Sequence, residues 1–125
     1  MFPVRVAGPT SFNVLGVWAQ ADPTYSAALL QGLTLYREFL KSGPSILLGD
    51  FNSSVAWDDK HGRTDHRDLE ERLRQEFGLV SAYHAATTEP PGAETRPTHF
   101  WRWHEASPYH LDYCYIPEAW LVGSQ

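Results

Sequence analysis

The sequence predicts an α/β domain, and three observations carry that prediction. An apolar, β-branched run at residues 12–19, a helical pattern at 23–41 and a second apolar run at 45–49 follow one another in the order of a βαβ unit. A second helix and strand follow at residues 65–83. Two more strand candidates close the chain at 98–103 and 110–116. With 125 residues, 42% hydrophobic and 20% charged, the chain fits a single domain over 1–125.

The first run, from Phe12 through Val14, Leu15, Val17 and Trp18 to Ala19, is short and mostly apolar, as a buried strand requires, and ends at the turn-forming Asp22-Pro23. Thr24 suits the cap of the following helix. Leu29, Leu33, Tyr36 and Leu40 recur at three- and four-residue spacing, and Gly43-Pro44 stops the run. Residues 45–49 read as a buried strand whose carboxyl end delivers Asp50 into a loop. The stretch 52–63 shows no period and reads as that loop, ending at Thr64-Asp65, either of which can cap the next helix. That helix spans 65–77. Leu69, Leu73 and Phe77 mark its buried side, Asp68, Glu70 and Glu71 favour its first turns, and Gly78 suits its C-terminal cap. Residues 79–83 read as a third strand, followed by a Pro-, Gly- and Thr-rich connection through Arg96. The last two strand candidates, joined by a loop at 105–108, read as an antiparallel pair; no internal repeat is present.

Ten Lys and Arg against fifteen Asp and Glu give a net charge of −5, so no diffuse basic field favours a polyanion. Nucleic acid stays open as a partner, because an acidic hydrolase can approach phosphates through a divalent cation and a few local Arg side chains. Cys114 is the single cysteine, which excludes an internal disulfide framework and a thiolate zinc site, so a cytoplasmic setting is expected. No apolar run approaches the roughly 20 residues of a membrane helix, and the N-terminus lacks the order of a secretory signal.

The sharpest motif is Gly49-Asp50-Phe51-Asn52, directly after an apolar strand. It places a carboxylate and an amide two residues apart at a strand's carboxyl end, where sheet proteins build sites. Asp50 can take a proton from water or bind a metal, and Asn52 can donate to a phosphoryl oxygen. The same four residues also suit an ordinary strand-to-loop turn. A second element is His110-Leu111-Asp112-Tyr113, where Asp112 falls within an apolar strand run and needs a partner, either an imidazole or an Arg or backbone N–H. His110, two residues before Asp112, is expected at the rim or surface. His61 and His66 with Asp58 or Asp59 could be read as a metal set, but their spacing fixes no common face. His84, His99 and His104 have no defined partners in the sequence. The five tryptophans suit core packing or base stacking, and Trp57, on the loop beside Asn52, is the expected substrate contact.

Motif and order together resemble the C-terminal half of the endonuclease/exonuclease/phosphatase family, whose members include deoxyribonuclease I-like nucleases, abasic-site endonucleases, sphingomyelinases and inositol-polyphosphate phosphatases. The match runs from the first strand and helix through Gly49-Asp50-Phe51-Asn52, Gly78-Leu79 and Pro97-Thr98 to Leu111-Asp112-Tyr113. The resemblance implies a partial two-sheet α/β sandwich with helices outside and the site at one edge of the sheets. It further implies phosphoester hydrolysis with magnesium or manganese. Asp50 would then orient or deprotonate the attacking water, Asn52 would hold the scissile phosphate and Asp112 would support a catalytic histidine. The sequence departs from the family pattern in three places. The N-terminal half with its Asn and metal-binding Glu is not represented, no closing Ser-Asp-His element follows Asp112, and Val17-Trp18-Ala19 stands where many members have Thr-His. These departures imply an incomplete catalytic set, a truncated domain, and association through exposed sheet edges. The competing reading is a non-catalytic binding or assembly module on the same fold.

Overall fold

The computed structural model describes residues 1–63 and 65–122. Strands β1 (Phe2–Val6), β2 (Phe12–Trp18), β3 (Ser45–Asp50), β4 (Leu79–Ser81) and β7 (Asp112–Pro117) form one sheet in the order β1-β2-β3-β7-β4. A separate two-stranded ribbon pairs β5 (His99–Phe100) with β6 (Pro108–Tyr109). The helices are α1 (Tyr25–Leu35), α2 (Arg37–Lys41), α3 (Val55–His61), α4 (Asp65–Phe77) and α5 (Ala82–Thr87). No described helix is long and apolar enough to cross a membrane.

The βαβ unit forms as expected: β2 and β3 are parallel, with α1 and α2 between them in sequence. Thr24 caps α1, its hydroxyl accepting from the Ala27 N–H at 3.1 Å. The single helix expected over 23–41 is broken at Tyr36, whose backbone (φ −96°, ψ 15°) leaves the helical region before α2 resumes. Helix α4 has the expected bounds, with Leu69 and Leu73 fully buried, and Gly78 closes it at φ 65° by donating to the Arg74 carbonyl. Thr64, one of the two candidate caps for α4, lies outside the described residues.

Several expectations are corrected. Residues 2–6 form an edge strand, β1, antiparallel to β2, which a short run holding Pro3 and Arg5 did not signal. Residues 55–61 are helical rather than loop. Ser54 caps α3 and Gly62 ends it in the left-handed region, while its buried side is only Val55 and Asp58, too little to show a period. The strand expected over 79–83 stops at Ser81, whose hydroxyl starts α5. The strand expected over 98–103 shrinks to His99–Phe100, because Arg102 and Trp103 adopt positive φ in the turn that follows. Its antiparallel partner is β6, and β7 instead pairs with β3 and β4.

The sheet has two unlike faces. Leu15, Val17, Leu47, Tyr113, Tyr115 and Leu79 point to one side and join Leu29, Leu33, Leu40, Leu69 and Leu73 of the helices in a single core. Residues paired across strands share a face. Phe2, Val4, Val14, Ile46, Leu48 and Cys114 therefore line the opposite side, in the pairs Phe2–Gly16, Val4–Val14–Ile46 and Gly16–Leu48–Cys114. Trp120, from the turn Glu118–Leu121, packs edge-on against Phe12 on this face at 6.0 Å, while Phe2 at 64% exposure, Val4 at 52% and Leu48 at 42% stay open. The architecture is one helix-backed layer of a sandwich.

Gly49 sits where the central strands are tightest. Its φ is +140°, and a Cβ there would lie 2.0 Å from the Val17 carbonyl oxygen of the neighbouring strand. Both the backbone conformation and the space require glycine. Gly49→Ala is expected to cost at least about 3 kcal/mol by urea denaturation. Gly43→Ala, whose Cβ would meet only the Asn13 side chain at 3.8 Å, should stay within about 1 kcal/mol of wild type.

Candidate active site

Two backbone hydrogen bonds gather the ends of β2, β3 and β7. The Ala19 N–H donates to the Asp50 carbonyl at 2.9 Å, and the Phe51 N–H donates to the Leu111 carbonyl at 2.9 Å. Phe51 itself is fully buried, its ring against Tyr113 and Tyr115 at centroid distances of 5.4 Å. This anchor fixes the short segment that carries Asp50 on one side and Asn52 on the other. Asn52 has φ 46°, a left-handed conformation that Asn tolerates better than most residues. In that conformation its N–H donates to Asp50 Oδ1 at 2.9 Å, and its side-chain amide donates to Asp50 Oδ2 and to the Ala19 carbonyl, both at 3.2 Å. The amide thus orients the carboxylate before any ligand arrives.

Asp112 lies directly opposite Asp50 in the β3–β7 ladder. The sequence suggested a carboxylate enclosed within an apolar strand; in the structure Asp112 is the first residue of β7 and is exposed. No hydrogen bond or ion pair reaches its carboxylate among the described residues, so none of the expected partners, imidazole, guanidinium or backbone N–H, meets it there. Its backbone is fixed instead by Thr98, whose Oγ1 accepts from the N–H groups of Leu111 at 3.0 Å and Asp112 at 3.1 Å. Like charges directly opposite on a sheet are destabilising. The Asp50–Asp112 pair thus costs the sheet some stability, which makes it a candidate site.

Trp57 lies on α3, half-buried, its ring edge-on to Tyr109 at 5.1 Å. It lines a cleft of about 480 Å³ that also takes in Asn52, Ser53, Tyr25 and Trp101. Asp50 and Asn52 are thus brought together with Asp112 across the ladder, and Trp57 joins Asn52 through the cleft.

The histidines behave differently from expectation. His110 is buried at 7% exposure, ahead of β7 rather than within it. Its Nδ1 bonds the Arg96 carbonyl at 2.8 Å, and its Nε2 has no partner among the described residues. His66 is fully enclosed, with Nδ1 on Ser53 Oγ at 3.0 Å. Asp58, also buried, accepts from the His66 and Arg67 N–H groups at the start of α4. Neither is free to join His61 in a metal set. His84 does have partners: Nδ1 on Ser81 Oγ at 2.8 Å and Nε2 on Glu94 Oε1 at 3.0 Å.

The residues do not by themselves fit a divalent cation. Among the described residues no three His, Cys, Asp or Glu side chains converge as ligands, and both oxygens of Asp50 already accept from Asn52. Asp50 and Asp112 leave a hard cation short of the oxygen set it requires.

The chain matches the endonuclease/exonuclease/phosphatase family over residues 3–125. It belongs to that family. The helix-backed sheet and small ribbon agree with the family's deoxyribonuclease I-like fold. Among solved structures it is similar to the catalytic domain of human Nocturnin, determined with a bound sulfate anion, at 21% identity and a TM-score of 0.44. That alignment covers 86% of this chain and 35% of the Nocturnin chain, so the family member described here spans about a third of that length. No curated protein matches the chain.

The segment that delivers Thr98 to Asp112 is held by Glu94, whose side chain is 5% exposed. Burial raises its pKa, but hydrogen bonds from His84 and from the Gly92 N–H outweigh that and hold it at about 2. A carboxylate depressed below its ordinary 4.5 contributes stability above that pH and loses it as pH falls toward 2. Glu94→Gln should cost about 1–3 kcal/mol at pH 7, and its stability should fall less steeply between pH 4.5 and 2. Urea unfolding of both proteins at a series of pH values checks this.

Proposed function

We propose that this chain supplies the water-activating and phosphate-binding residues of a phosphoester hydrolase, a nuclease or phosphodiesterase. The observation that carries this reading is the Asp50–Asp112 pair at the ladder's end, with Asn52 clamped onto Asp50. Asp50, oriented by two donors from Asn52, aims a carboxylate at a water and takes its proton as that water attacks phosphorus in line with the departing alkoxide. Both hydrogens of the Asn52 amide are engaged by Asp50 and Ala19. Asn52 therefore reaches a phosphoryl oxygen by exchanging one of these bonds for it. Asp112, exposed at the start of β7, would steady a cationic acid supplied from beyond the described residues, which would protonate the leaving oxygen. The family resemblance brings the expectation of magnesium or manganese, and the cation needs ligands beyond the residues described.

Manganese- or magnesium-dependent hydrolysis of bis(p-nitrophenyl) phosphate tests the reading. Asp50→Ala and Asp112→Asn should each lower kcat at least about 100-fold, with chelator abolishing turnover. A folded sample without metal-dependent turnover, or one in which Asp50→Ala keeps wild-type rates, sinks it.

The open apolar face favours a second role, assembly. Asp50 and Asp112 share the face of Leu48 and Cys114, so whatever covers that face also walls the site. We infer that a further layer docks there, or along the free edges of β1 and β4, because contiguous apolar surface of this kind marks an interaction surface. Leu48→Asp should weaken self-association at least about 10-fold by light scattering. A wild-type chain that stays monomeric at high concentration argues against the surface.

A further inference from the structure

The cleft beside Asn52 has the chemistry of a nucleotide site. Its walls include the rings of Tyr25, Trp57 and Trp101, brought together from α1, α3 and the turn after β5. Its lining also carries the hydroxyls of Ser26 and Ser53, 3.3 Å apart, and Ser53 is held from beneath by the buried His66 at 3.0 Å. Arg63 stands on the same cleft, more than half exposed, and its ion pair with Asp65 is long, at 3.8 Å. Aromatic rings, paired hydroxyls and a cation recognise, respectively, a flat heterocycle, its polar edge and an anionic group. At about 480 Å³ the cleft is in the size range of small-molecule sites.

Trp101 is the unusual member. It is 49% exposed and is followed by Arg102 and Trp103 at φ 51° and 62°, conformations that bulky residues seldom adopt. Arg102 lies over the indole at 5.9 Å and His99 stands edge-on to it at 6.4 Å, and the half of the ring left exposed suits a stacking surface. Asn52 lines the same cleft. A base seated here would bring the phosphate of its own nucleotide toward Asn52 and Asp50.

We propose that this cleft binds the nucleobase of the nucleotide whose phosphate faces Asn52, with Trp101 and Trp57 stacking on the base. The inference rests on the hydrolase reading for the identity of the reacting phosphate, and on the cleft alone for the base. An acidic chain whose cleft lining sets Arg63 among the carboxylates of Asp58 and Asp65 suits a single nucleotide unit better than a long duplex. That unit is either a free nucleotide or the terminal residue of a single strand.

Isothermal titration calorimetry on the whole chain in chelator tests this independently of turnover, using AMP, ribose 5-phosphate and a five-residue oligoadenylate. AMP should bind at least about 10-fold more tightly than ribose 5-phosphate, and Trp101→Ala should remove about 10-fold of the AMP affinity. Trp103→Ala, on the same turn but 95% exposed and outside the cleft lining, should bind AMP as wild type does, which separates stacking from loss of the turn. Oligoadenylate binding well above AMP assigns the site to a strand end; equal binding assigns it to a free nucleotide. Ribose 5-phosphate binding as tightly as AMP, or AMP binding unchanged in Trp101→Ala, overturns the proposal. Base-dependent binding without metal-dependent turnover would leave the cleft standing and reject the hydrolase reading alone.

Discussion

The approach of Gly49 to the Val17 carbonyl is the constraint from which the site follows. It lets β2 and β3 run parallel in close register to their ends, so the Ala19 N–H meets the Asp50 carbonyl and Phe51 turns inward onto Tyr113 and Tyr115. With Phe51 buried, Asn52 has one way to continue, the left-handed conformation that closes its N–H and amide onto Asp50. A larger residue at 49 would separate the strands and release that clamp.

The second constraint is the asymmetry of the sheet. Helices α1, α2 and α4 bury one face, and the opposite face keeps Phe2, Val4 and Leu48 in contact with solvent. Asp50 and Asp112 both sit on the open face, so anything that covers that face would also wall the pair. Covering the face would also lower the local dielectric around Asp50 and Asp112, strengthening both their mutual repulsion and their attraction for a cation.

On the loop side, order comes from buried polar anchors. Asp58 ties α3 to the start of α4, Glu94 ties the 89–98 connection to His84, and Thr98 ties that connection to Asp112. These side chains cannot also serve as metal ligands, which is why the cluster of His61, His66 and Asp58 dissolves into separate structural roles.

The sequence by itself determined the βαβ unit, the bounds of α4 and the Gly49-Asp50-Phe51-Asn52 motif, because period, caps and strand-end glycine are local properties of neighbouring residues. Helix α3 was hidden, although Ser54 before it and Gly62 after it were legible caps, because its buried side is one Val and one Asp. Edge strand β1 and the pairing of β7 with β3 depend on partners far along the chain. Tertiary structure alone decided that Asp112 faces Asp50 from an exposed strand start, that His110 is buried, and that Trp57 and Trp101 share a cleft. Each of these is a relation between distant segments, set by register and packing, which no local pattern encodes.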